Sequence, residues 1–286
     1  MKETLSRRIF VVFNAIFLTL LAFTMFIPYM KIFAESLSDA RAVDMGQVIL
    51  WPVGFTFENY QLVFRDPSIS RAFFNSVFVT AVGTLWNLLM TSMLAYPLSR
   101  PEFLLKRIIL IMVTINMVFS APLIPTYLLI KNLGLIDKIW VLILPGAISA
   151  FNLFILRSFF RSIPGELIDS ARIDGCGEMR ILLQIVLPLS KAALSSIGLF
   201  YAVGHWNSFF GPLMYINKPQ LITLQVKLNR LLVQAVNDIP GADMTTMSPV
   251  AIKMTTIVVT TIPILLIYPF LQKHFMKGAT LGSVKE

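Results

Sequence analysis

What most limits this chain is a set of long stretches that contain no Asp, Glu, Lys or Arg. Six of them reach 18 residues or more: 9–30, 72–99, 108–130, 139–156, 192–217 and 254–272. About 20 apolar residues span the hydrocarbon core of a bilayer. A backbone in lipid must satisfy its own polar groups, so each run is expected to be helical. The fold class that follows is an all-α membrane protein with six transmembrane helices, in a single transmembrane domain 1–286. The fourth run is the shortest: its 18 residues give roughly 27 Å of helix. It also contains Pro145-Gly146, while Arg157 at its end can snorkel to the interface.

Composition agrees, with 56% hydrophobic and 14% charged residues against the roughly 25% charged of a soluble domain. The net charge of +9 could point to nucleic acid, but its distribution says otherwise. With six crossings and the N-terminus inside, 14 of the 24 Lys and Arg fall on inside segments. Seven of the 15 acids do so too, leaving an inside surplus of positive charge. This is the positive-inside pattern, and it places both termini and the 164–188 stretch in the cytoplasm. No nucleic acid is expected as a partner; membrane lipid is. The first run, at 22 residues, is too long for a signal-peptide apolar region, and no small-x-small site follows it, so a retained span is expected. The lone Cys176 excludes an internal disulfide and a cysteine metal cluster. A small residue at a tight corner is its simplest role.

Between the fourth and fifth runs lies a polar stretch, Pro164 to Pro188, that reads as helix, turn, helix. Ser162 can cap the first helix, Pro164 fits its first turn, and Glu166 suits the positive end of the dipole. Helical spacing puts Leu167 and Ala171 on one face, with Asp169 and Arg172 on another. Gly175 suits the left-handed position that ends such a helix, and Pro188 is expected to interrupt the second one. Such a hairpin can be a docking piece or simply a folded loop. Elsewhere, residues 31–71 read as a polar outside segment with turn signals, among them Asp66-Pro67. Asn75, Thr80, Thr84, Asn87, Thr91 and Ser92 on the second run favour helix packing in lipid. Pro122 and Pro125 make the third run either a kinked structural helix or a pore-lining one. Leu221, Leu224, Leu228, Leu231, Leu232 and Ala235 predict an amphipathic surface helix before Pro240-Gly241.

The order Asp169, Ser170, Ala171, three residues, Gly175, nine residues, Ile185, one residue, Leu187, Pro188 resembles the EAA loop of ABC importer permeases. In that family the loop is the coupling helix seated in a cleft of the cytoplasmic ATPase. Asp169 stands where the family usually has Glu, and Ser170 where it usually has Ala. Trp206-Asn207, Pro212-Leu213, the tail Tyr268 to Lys273 and Gly282 to Lys285, and the loop Phe55 to Tyr60 are also similar to the shorter sugar-permease subunit. The resemblance implies an ATPase-coupling set of Glu166, Asp169, Ser170, Ala171, Arg172, Gly175, Ile185, Leu187 and Pro188. It implies, as partners, a second permease in a heterodimer, ATPase subunits and an extracellular solute-binding protein. The implied substrate is a carbohydrate, an oligosaccharide, and the implied location is a bacterial cell membrane. No cofactor is expected on this chain, with ATP and Mg on the ATPase.

The residues themselves narrow the function. None of the six runs holds an Asp, Glu, Lys or Arg for an ion-coupled carrier. No GxxxxGK[ST] phosphate loop and no HExxH occurs. A transporter built this way needs energy from another subunit, and the hairpin is its port. The rival readings are an ATPase-independent channel and a membrane enzyme, which turnover by the purified chain would favour. A sugar path needs amides for hydroxyls and aromatics for ring faces. Tyr201, His205, Trp206 and Asn207 supply these on the fifth run, with Asn116 and Asn152 as companions. A packing role for His205, or an interfacial anchor role for Trp206, is the plainer alternative.

Overall fold

The structure is a computed structural model, and it describes residues 5–119, 121–237, 248–263 and 265. Among these, helix is the only regular structure, which agrees with an all-α membrane protein. The helices are α1 (Leu5–Ser36), α2 (Ala40–Asp44), α3 (Glu58–Arg65), α4 (Pro67–Ser99), α5 (Lys106–Val118), α6 (Leu123–Asn132), α7 (Ala150–Arg161), α8 (Gly165–Ile173), α9 (Glu178–Ile181), α10 (Leu187–Leu189), α11 (Lys191–Trp206), α12 (Phe210–Tyr215) and α13 (Leu224–Asn237). The apolar helix α14 (Pro249–Pro263) closes the described chain. Two helices are long and apolar enough to cross a membrane alone, Arg7–Ser36 and Pro67–Ser99. Two more pairs qualify together but are bent: α5 with α6, and Glu178–Leu189 with α11, the latter by 87°.

The chain forms two compact units. One comprises Met1–Ser70 and Lys227–Pro263. Here α1 leaves its large apolar side chains from Ile9 to Phe33 exposed, an arrangement that lipid tolerates and water does not. At the end of α1 the polar side chains turn inward. Asn59 donates to the carbonyls of Ser36 and Ser38, and Ser38 Oγ accepts from the Val53 amide. They surround a small core of Ala34, Ala42, Val43, Val48 and Ala251. Ser248 bonds the Asp44 carboxylate, and Lys227 pairs with Asp66 at 3.7 Å. Residues 31–71 are thus largely helical instead of a loop. Asp39 caps α2 by accepting from the Arg41 amide. Asp66-Pro67 opens α4, with Asp66 accepting from the Ser68 amide at 2.7 Å, because a missing proline N–H costs nothing in a first helical turn.

The other unit, Arg71–Val226 with Ile264–Glu286, holds the main core. Leu98, Leu153, Leu156, Phe160, Ile168, Ile181, Val186 and Ile197 bring α4, α7, α8, α9 and α11 together. Two arginines close it reciprocally: Arg157 Nε donates to the Leu98 carbonyl at the end of α4, and Arg100 donates to the Phe160 carbonyl at the end of α7. Each cation so meets the negative end of the other's helix. Asn75 donates to the carbonyls of Gln220 and Ile222, and Ser76 accepts from the Leu224 amide. The polar residues of the second run thus anchor chain as well as pack helices.

Several expected bounds are corrected. The 139–156 run is not one helix: a 3-10 turn covers Ile139–Leu142, and α7 starts only after its N-cap, Ser149. Pro145 forbids a continuous helix, and Ser149 offers the next start. The 108–130 run is divided between α5 and α6, where Pro122 caps the second piece. The 192–217 run is divided: α11 ends at Trp206 with Asn207 as its cap, and α12 follows over Phe210–Tyr215. The amphipathic helix begins at Leu224, Leu221 being in a 3-10 turn. The side chains of Leu232 and Ala235, Pro240-Gly241, residues 264 and 266–272 of the sixth run and the tail lie outside the described residues.

Candidate functional site

The hairpin forms where the sequence places it, but its first helix starts two residues later and its seated face is shifted. Ser162 ends α7, its hydroxyl bonding the Phe159 carbonyl. Pro164, in extended backbone, is the N-cap of α8. Glu166 lies in the first turn of α8. Ile168 is buried to 1% exposure and Ala171 to 7%, whereas Leu167 is 48% exposed. The seated face is therefore Ile168 and Ala171, one residue round from the expected Leu167. At the other end Gly175 has φ +80. The Cys176 amide donates to the Ala171 carbonyl and the Gly175 amide to the Arg172 carbonyl. These are the two bonds of a Schellman cap, which satisfy carbonyls that a helix end leaves open.

Beyond the turn, Pro188 does not interrupt the second helix. Residues Leu182–Val186 form a π segment, and helix continues through Pro188 to Leu189 before the bend at Ser190. A π register absorbs the missing proline N–H that an α register would leave as a fault. Val186 is fully buried, and Ile185 and Leu187 are partly buried against the main core.

Arg172 is the centre of the charge at this end. Its Nε lies 2.9 Å from Glu178, and one terminal nitrogen lies 3.1 Å from Glu102 and 3.4 Å from Asp169. The second Glu178 oxygen accepts from the Tyr96 hydroxyl at 2.6 Å. The hydrogen bonds it donates to Glu178 and then Glu102 raise the Arg172 guanidinium further above its usual range. The Tyr96 hydroxyl, and after it Arg172, hold the Glu178 carboxyl below its usual range. Ser170 turns its hydroxyl back to the Glu166 carbonyl. A cavity of about 400 Å³ adjoins this cluster, lined among others by Met93, Tyr96, Phe103, Met179 and Leu182. Outward, the hairpin shows Leu167, Ile173 and Met179, with Ile173 at 86% exposure. Tyr96, Glu102 and Glu178 are functional candidates that sequence reasoning did not single out. The available signal was a Glu six residues after Arg172, across a turn that brings the two together.

The residues expected along a sugar path are placed differently from one another. Tyr201 is buried; its oxygen accepts from the Ser149 amide at 2.9 Å and shares a hydrogen bond with Thr91. Trp206 is buried edge-on against Phe73 at 6.0 Å. Asn152 is buried in the first turn of α7, where its amide meets the Ser149 cap. His205 is half-buried, with Nε2 at 2.6 Å from Asn87 Oδ1. Asn116 and Asn207 are exposed. The structure thus brings Tyr201 and His205 into one polar cluster with Asn87 and Thr91, as a shared helix face requires. Asn87, fully buried, spends both amide hydrogens on the Gly146 and Ala147 carbonyls. Its oxygen must then accept, so His205 carries the hydrogen on Nε2. These side chains satisfy the irregular backbone that Pro145-Gly146 leaves ahead of α7.

Residues 87–280 match the family described as "Binding-protein-dependent transport system inner membrane component". The chain is 42% identical over 275 residues to the polygalacturonan/rhamnogalacturonan transport system permease protein YtcP of Bacillus subtilis, covering 94% of this chain and 96% of that one. It is 41% identical to protein LplC of the same organism, covering 100% and 98%. A chain in the crystal structure of a bacterial ABC transporter involved in the import of the acidic polysaccharide alginate superposes with a TM-score of 0.89 at 31% identity. That match covers 96% of this chain and 99% of the other.

Proposed function

The chain belongs to the family of binding-protein-dependent transport system inner membrane components, a family of ABC transport permeases, and from that premise we propose that it is one half of an ATP-driven importer for an oligosaccharide. The observation that carries the docking reading is the hairpin. Its Gly175, at φ +80, sits at the glycine of the EAA-like spacing, and Ile173 beside it offers its side chain outward. An amphipathic hairpin with an apolar tip and a fixed turn is suited to a cleft in an ATPase subunit. In this reading Glu166, Asp169 and Ser170 face that subunit, Arg172 is turned to Glu102 and Glu178 of its own chain, and Ala171, Ile185, Leu187 and Pro188 seat the hairpin on the permease. ATP and Mg are held by the ATPase. The other partners are a second, similar permease and an extracellular solute-binding protein.

The assembly proposed here has six crossings, with both termini cytoplasmic. At 12 residues, α7 spans only about 18 Å, and the 139–149 stretch completes its crossing. The names of YtcP and of the alginate transporter both concern acidic polysaccharides, so an acidic oligosaccharide is the first substrate to test. Within the path, exposure leaves Asn116, Asn207 and half-buried His205 as the groups to meet sugar hydroxyls. Tyr201, Trp206 and Asn152 shape the wall behind them.

Uptake of a labelled acidic oligosaccharide into proteoliposomes tests the proposal. The complete complex should import it only with ATP inside and binding protein outside. Flux without nucleotide would favour a channel and overturn the reading.

A further inference from the structure

The Arg172 cluster joins three segments that are separate in sequence. Asp169 and Arg172 lie on α8, Glu178 opens α9, and Glu102 lies in the connection after α4. Through Glu178 the chain of bonds continues to the Tyr96 hydroxyl, near the end of α4. Arg100 stands over the Tyr96 ring at 5.2 Å and donates to the last turn of α7. One guanidinium therefore bridges both helices of the hairpin and links them, through two further side chains, to the ends of two long helices.

Such a cluster contributes little to folding. The Glu102, Asp169 and Glu178 side chains are each more than half exposed, and exposed ion pairs are worth little singly. Its geometry does more. The cavity beside it is lined by Met93, Tyr96 and Pro97 of α4 on one hand and by Met179 and Leu182 of the hairpin on the other. On that side apolar packing between α4 and the hairpin is interrupted, and the polar chain Tyr96, Glu178, Arg172, Glu102 crosses the gap. The Schellman turn is the natural place for the hairpin to flex, and Arg172 bridges it by holding Glu178 on the far side.

The geometry points to Arg172 as a positioning residue for coupling: it ties the hairpin into one body with the end of α4, so that force on the hairpin moves α4 instead of bending the Gly175 turn. This rests on the ATPase-docking reading given above. It also gives Asp169 a partner within the chain, so Asp169 orients Arg172 as well as facing outward.

The test uses the whole importer in proteoliposomes, with three readouts: retention of the ATPase on the purified complex, ATP hydrolysis stimulated by loaded binding protein, and uptake. Arg172→Ala should keep the ATPase bound while uptake and stimulated hydrolysis fall by about tenfold, within the usual span of coupling effects. Glu178→Gln combined with Arg172→Ala should lose no more than Arg172→Ala alone, because both cut one chain of bonds. Arg172→Lys, a point charge in place of a fork, should recover only part of the loss. Wild-type uptake in Arg172→Ala would overturn the inference. So would a fall in uptake that merely follows loss of the ATPase, since Arg172 would then be a docking contact. A wild-type chain that retains no ATPase would overturn the docking reading itself, and this inference with it.

Discussion

Asn87 shows how much one side chain can carry. All three of its bonds go to groups that have no other partner in a helix ladder: two carbonyls of the 146–147 bend and the His205 ring. Asn87→Leu keeps the size but removes the donors, leaving buried carbonyls at a cost of roughly 1–3 kcal/mol. Thermal unfolding in detergent should register that loss, whereas Asn75→Leu, at a more exposed site, should cost less. Gly83 gives an independent probe: a Cβ there would lie 2.6 Å from His205 Nε2, closer than any real contact. Gly83→Ala should therefore displace His205 yet cost less than Asn87→Leu, since the Gly146 and Ala147 carbonyls keep their donor. Asn87 was visible in the sequence only as one of six polar residues on a span. Its role depends on where Pro145-Gly146 comes to rest, and no local pattern records that meeting.

Among the elements, the hairpin was the most legible and still shifted. The spacing from Asp169 to Pro188 located the turn, since a glycine at φ +80 is a local requirement. The seated face was misjudged because Leu167 and Ile168, four and three residues before Ala171, both neighbour it on a helix, and only the packed core selects Ile168. Gly175→Val should strain the turn by roughly 1–2 kcal/mol. It should weaken ATPase retention more than Gly175→Asn does, Asn being tolerated in that region. A Cβ at Gly175 meets nothing within 4 Å, so the difference would report backbone conformation alone. The Glu178 carboxyl supplies a pH test. Its folded pKa is lowered, so its contribution is complete above the unfolded value and is lost only as pH falls through the folded one. The uptake advantage of the wild type over Arg172→Ala should then be flat from about pH 6 to 8, well above the ordinary glutamate range. A fall across that interval would assign another group to the contact. The charge-free runs were less informative about helix ends: a count of missing charges sees neither the Ser149 cap nor the break after Trp206.

At the scale of the molecule, composition sufficed for a membrane protein, and motif spacing for its family. The two compact units were not foreseen, because hydropathy reports which segments enter lipid and not which of them pack together. The orientation rests on the distribution of Lys and Arg, and Ile173, at 86% exposure, is a better reporter of it than partly buried Cys176. Ile173→Cys in a Cys176→Ser background should react with an impermeant thiol reagent in inverted vesicles and stay unlabelled in intact cells. The same variant tests the central claim most directly. In membranes holding the assembled importer, a thiol-reactive reagent with a short photoactivated arm, attached at residue 173, should cross-link it to the ATPase subunit, and Gly175→Val should reduce that product. A cross-link to the second permease or to the binding protein in place of the ATPase, in a complex that still imports, would contradict the account.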